Sequence, residues 1–132
     1  MTYILNEDQE TWLKYLETTN ELQGASRLHT IKNNIDYFCC LGIACIALKL
    51  PKQIIDNEVH YLSRAMVGAN NMYAPKTAIV LLKLRGAAGD LKVPVKIDNI
   101  EHSSLAEMND AGISFKQIAN YIRQNPENVF LP

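Results

Sequence analysis

Apolar residues recur at three- and four-residue spacing over 104–122, SLAEMNDAGISFKQIANYI, which predicts two short helices joined by a tight turn. Leu105 and Met108 mark one face of the first helix, and Phe115, Ile118, Ala119 and Ile122 one face of the second. Between them Asn109, Asp110, Ala111 and Gly112 close the first helix, with Gly112 free to take the left-handed backbone that stops it. Ser114 suits the next N-cap and Gln117 stands three residues on, the spacing of a capping box.

The same reading extends along the chain. Residues 6–19 predict a helix with Asn6 as cap, Glu7 and Asp8 at its positive start, and Trp12, Tyr15, Leu16 and Thr19 as its stripe. Gln23, Gly24, Ala25 and Ser26 break it. RLHTI-KNN-IDYF over 27–38 reads as a hairpin whose turn suits Asn33 and Asn34. Its alternation sets Leu28 on one face and Arg27 and His29 on the other, with Ile31 on the side of His29.

Residues 39–50 form a helix that is apolar nearly all round, which belongs at the centre of a domain. Gly42 costs that helix about 1 kcal/mol relative to Ala, so it points to close packing there, and Pro51 is the expected stop. Downstream, residues 57–66 suggest a helix capped by Asn57 and exposing Glu58 and Arg64. Residues 67–74 suggest a loop, Pro75 opens a helix through Ile79 and Leu82, and 86–90 form another loop. Residues 93–97 suggest a short strand that Pro94 confines to an edge. Beyond Pro126 the tail pins Val129, Phe130 and Leu131 onto the core. The expected fold is one α+β domain over residues 1–132, with about five helices around the 41–48 segment and one small hairpin.

Composition agrees with a single globular domain: 132 residues, 48% apolar, 20% charged and a net charge of −1. Lys and Arg are scattered, whereas a protein held to DNA by its phosphates gathers a basic face. Residues 1–6 lack a secretory pattern, and the longest apolar run, 35–50, is interrupted by Asp36 and Lys49 and too short to span a bilayer. Three cysteines without framework spacing suit a reduced, cytoplasmic chain with no membrane partner. Cys39, Cys40 and Cys45 lack metal-ligand spacing and read as core residues, so neither a metal nor a cofactor is expected. No P-loop, G-x-S-x-G, H-E-x-x-H or G-x-G-x-x-G occurs, and the sequence makes no case for an enzyme.

Two polar clusters adjoin core-forming segments. Asn109 and Asp110 sit at a helix C-terminus, where an acid opposes the macrodipole, so they read either as a cap or as a ligand contact. Arg27 and His29 suit an anionic ligand or a solvated strand. Trp12 and Tyr37 suit core packing or base stacking. The 113–120 stretch also fits a recognition helix presenting Lys116, Gln117, Asn120 and Arg123.

The ordered segments Gln23-Gly24, YFCCLGIAC over 37–45, Pro75, and LAEMNDAGISF over 105–115 with Ile118-Ala119 resemble a widespread family of small phage-encoded proteins. That family's pattern is approximately QG…L…YCCLGVLC…LNDxGxSFxxIAxxI. The chain departs from it at Ala25-Ser26-Arg27, where basic and glycine residues are usual. Asn109, Asp110, Ser114 and Phe115 match the pattern and carry over as binding positions.

A phage setting implies, by analogy, capture of a nucleotide-derived immune signal of the ADP-ribose or cyclic-nucleotide type, as anti-Thoeris sponges do. The expectation is a non-catalytic pocket protein, a homodimer, with Arg27, His29, Tyr37, Asn109, Asp110, Ser114 and Phe115 at its site. The alternative is a helix-turn-helix-like module contacting nucleic acid or inhibiting a host protein.

Overall fold

The computed structural model describes residues 2–56, 58–63 and 69–132. Helix α1 (Glu7–Thr18) starts at Asn6, whose side chain accepts from Gln9 while Gln9 accepts from the Asn6 backbone. Its buried face is Gln9, Trp12, Leu13 and Leu16; Tyr15, expected in the stripe, is 39% exposed. Trp12 is core, its indole N–H donating to the Cys40 carbonyl at 3.0 Å.

Strands β1 (Leu22–Gln23), β2 (His29–Lys32) and β3 (Ile35–Phe38) form a sheet in the order β1-β3-β2. The β2–β3 turn is Asn33-Asn34, both with positive φ (52° and 64°), the backbone of a type I′ hairpin. Helix α2 (Cys40–Ala47) follows, with only Ile46 among its eight residues not fully buried. Its all-round apolar pattern does place it in the middle. Gly42 is there because the chain entering β2 lies on the helix: a Cβ at Gly42 would stand 1.8 Å from the Leu28 carbonyl oxygen. The helix stops before Pro51. Lys49 turns left-handed (φ 57°) and Leu50 N–H returns to the Cys45 carbonyl, so the backbone ends it rather than the proline.

The expected helix over 57–66 is a strand instead. β5 (Glu58–Leu62) pairs antiparallel with β4 (Lys52–Ile55) and with β6 (Ala69–Asn70). Val59 and Tyr61 face inward at a period of two, and such β-branched and aromatic residues favour a pleated surface over a helix. The supposed cap Asn57 and residues 64–68 lie outside the described residues.

After α3 (Lys76–Leu82), the expected short strand over 93–97 is the end of a longer β7 (Asp90–Ile97). It pairs with β8 (Ile100–Ser104) through Asp98-Asn99, again both positive in φ. Among the described residues the antiparallel pairs β4–β5, β5–β6 and β7–β8 therefore join the one hairpin expected.

The remaining helices are α4 (Leu105–Asp110), α5 (Phe115–Gln124) and α6 (Pro126–Val129). Gly112 (φ 88°) ends the α4 segment, and the Ser114–Gln117 capping box starts α5. Val129 and Phe130 are fully buried as expected, whereas Leu131 is 43% exposed. The architecture is α+β, six helices with small sheets among the described residues, packed around α2.

Candidate functional site

Pairing across β2–β3 sorts the hairpin into two faces. Thr30 and Tyr37 are cross-strand partners and share a face with Lys32; His29, Ile31, Asp36 and Phe38 lie on the other. The first face, together with residues 23–27, lines an open groove of about 550 Å³ that holds Arg27, Lys32 and Tyr37. Gly24 lets the loop lie against the hairpin, since a Cβ there would come within 2.9 Å of the Tyr37 Cβ.

On the second face Asp36 is exposed, whereas Phe38 is buried and His29 is buried with it. Its ring stacks on Phe38 with centroids 4.1 Å apart, and its nitrogens meet the Tyr61 hydroxyl at 3.0 Å and Asp36 at 2.6 Å. Burial pushes the Tyr61 phenol up, so it stays neutral. His29 is therefore not a wall of the groove, although sequence alternation grouped it with Arg27. Ile31, on the same side, is 39% exposed.

The loop over 24–27 is braced from α4. Asn109 is buried; its Oδ1 accepts from the Cys40 N–H (3.1 Å) and the Gln23 side chain (2.9 Å), and its amide donates to the Gly24 carbonyl at 2.7 Å. Gln23 also donates to the Ile113 carbonyl at 2.7 Å. Asp110 is exposed and accepts from the Ser26 N–H at 2.9 Å, holding Ser26 at φ 68°. The two polar clusters of the sequence thus meet through one loop. Asn109 and Asp110 position it, and Asn109 itself is buried and does not line the groove.

Asp110 and Ser26 also border a smaller groove of about 310 Å³ with Cys39, Tyr73 and Glu107. Burial pushes the Cys39 thiol up to about 11, which leaves it a poor nucleophile at neutral pH. The Ser103 backbone N–H and hydroxyl hold Glu107 below the usual carboxylate range. Of the other expected binding residues, Ser114 caps α5 and Phe115 is buried in the core, so neither reaches the groove that holds Arg27.

The proposed recognition helix loses a cation. Arg123 does not project freely: it is bonded to both Glu10 and Glu17 of α1, the former at 2.7 Å. Lys116, Gln117 and Asn120 are exposed beside a third groove bordered by Asp98. Among the described residues no cluster of His, Cys, Asp and Glu could hold a metal, and no helix is long and apolar enough to cross a membrane.

Lys32 and Thr30 escaped the sequence reading. The signal was present, because the strand period that put His29 and Ile31 on one side puts Thr30 and Lys32 on the other.

A family model described as a domain of unknown function (DUF8296) matches residues 5–126, and the chain belongs to that family. No curated protein and no solved structure matches the chain significantly.

Proposed function

We propose that this DUF8296 domain is a non-catalytic capture protein for a small, nucleotide-derived anion bound in the groove between β2–β3 and residues 24–27. The observation that carries this reading is the convergence of Arg27, Lys32 and Tyr37 on one groove whose loop is braced from behind by Asn109 and Asp110. Arg27 supplies a planar fork suited to phosphate, and Lys32 a mobile point charge. Tyr37 supplies an aromatic ring for a base or sugar. The bracing matters energetically, because a loop ordered before binding does not charge its ordering entropy against affinity.

With the phage resemblance, this reading makes the protein a cytoplasmic sponge for an immune signal in the infected host, of the ADP-ribose or cyclic-nucleotide type. In this reading it works as a homodimer, a symmetric assembly that doubles the capture sites. The commitment of Arg123 to α1 supports capture over nucleic-acid recognition by α5.

Calorimetric titration with ADP, ADP-ribose and cyclic dinucleotides tests the proposal. At least one should bind, and Arg27→Ala with Lys32→Ala should weaken it by about tenfold or more, the loss of one to two charged hydrogen bonds. Flat titrations with all of them would overturn it.

A further inference from the structure

We infer that Glu58 competes with the bound anion for Arg27 and so sets how tightly and how selectively the groove fills. The inference rests on the capture role proposed above.

Arg27 stands at a boundary. It lines the 550 Å³ groove on one side and, on the other, a cavity of about 100 Å³ bordered by Glu58, Asn71 and His29. Its Nε lies 4.0 Å from a Glu58 carboxylate oxygen. That separation is an ion pair but too long for a hydrogen bond. The guanidinium is attracted without being locked.

Glu58 is held in place by other contacts. Its second oxygen accepts from the Asn71 side chain at 2.8 Å and lies 3.9 Å from the His60 imidazole. Asn71 is anchored in turn, its carbonyl accepting from Leu28 N–H at 2.8 Å, one residue from Arg27. The carboxylate is therefore a tethered anion permanently beside the cation that a ligand needs.

A tethered carboxylate discriminates between anions. A free monocarboxylate offers Arg27 the charge it already has nearby, and must also bear the entropy of association. A phosphate brings bidentate geometry and engages Lys32 as well, so it draws Arg27 across. Glu58 thereby lowers affinity for every anion, leaving measurable binding to those that satisfy both cations.

The experiment is calorimetry with ADP on the full chain, comparing the native protein with Glu58→Gln, Arg27→Ala and the double variant. Glu58→Gln keeps an acceptor for Asn71 and removes only the charge. ADP should bind about two- to fivefold tighter, the range of an exposed ion pair, and the gain should vanish in the Arg27→Ala background. Glu58→Ala, which also loses the Asn71 bond, should show the same gain if charge is the cause. An unchanged affinity in Glu58→Gln, or an equal gain without Arg27, overturns the inference while leaving the capture role standing. Absence of ADP binding to the native protein and to Glu58→Gln overturns it altogether, whereas the capture role itself falls only if the other nucleotides fail too.

Discussion

Two arginines on opposite regions of this molecule show how differently one guanidinium can be used. At the seam between α1 and α5, Arg123 is bonded to Glu10 and Glu17 at once, and its charge is fully matched. At the groove, Arg27 faces one carboxylate at 4.0 Å, with Lys32 as a second cation lining the same groove. Asparagine divides the same way. Asn33 and Asn34 only bend a turn, whereas Asn109 joins three segments from inside. Polar groups whose bonding is complete build the scaffold, and those left incomplete are where a ligand has something to gain.

The largest test of that division is Asn109→Ala. It strands the Cys40 N–H, the Gly24 carbonyl and one bond of Gln23 in surroundings where water cannot replace them all. Each unsatisfied buried group costs about 1–3 kcal/mol, so urea unfolding should show a loss of about 3 kcal/mol. Ligand binding should fall with it because the loop is released. A loss under about 0.5 kcal/mol, the level of an ordinary surface change, would mean that Asn109 does not hold the two regions together.

The converse is expected at the groove. Arg27→Ala and Lys32→Ala should each leave the urea midpoint almost unchanged, because both cations contact solvent, while weakening nucleotide binding about tenfold. If either variant were instead strongly destabilising, the distinction between completed and incomplete polar groups would fail on the groove side.

Much of the scaffold was legible in the sequence because local rules governed it. The Asn6 and Ser114 capping boxes, the Gly112 stop and the close approach at Gly42 are each decided within a few residues or by one missing Cβ. The strand over 58–62 was misread as a helix because its short apolar run lacks a distinctive period and its pairing partners are fixed only in three dimensions. The β7–β8 turn carried Asp98-Asn99, a weaker signal than Asn-Gly. The site was half legible. Arg27, Tyr37 and Asp110 come to the same loop and groove, but the role of Asn109 depends on contacts 69 to 86 residues away along the chain, which no local pattern records.

Asp110 lies between the two classes and predicts an intermediate effect. Asp110→Ala removes the acceptor for the Ser26 N–H, an exposed bond of about 1 kcal/mol or less. Binding should weaken a few-fold through the loosened loop. Asp110→Asn keeps an acceptor and should restore most of the affinity. If the asparagine variant binds as poorly as the alanine one, the carboxylate charge acts on the ligand directly and Asp110 belongs with the groove.

The smallest effect concerns acid stability at the α1–α5 seam. Hydrogen bonds from Arg123 hold both Glu10 and Glu17 below the usual glutamate value of about 4.5, against the opposing effect of burial. The same contacts raise the arginine further above neutrality. Because the folded carboxylates release their protons more readily than the unfolded ones, the unfolded chain binds more protons near that pH, and stability rises with pH there. The contribution is complete above the usual glutamate value and disappears as pH falls through the depressed folded values. Both side chains are about a third exposed, so solvent screening limits the pair to about 1 kcal/mol or less. Glu107, lowered by Ser103, adds a slope of the same sign that does not depend on Arg123. Urea unfolding between pH 3 and pH 6 should therefore be less steep in pH for Arg123→Met than for the native protein, without becoming flat. Arg27→Ala should change the slope less, since its one carboxylate partner lies 4.0 Å away, beyond hydrogen-bond reach, and is half exposed. An equal loss of slope in both variants would place the two arginines in the same class.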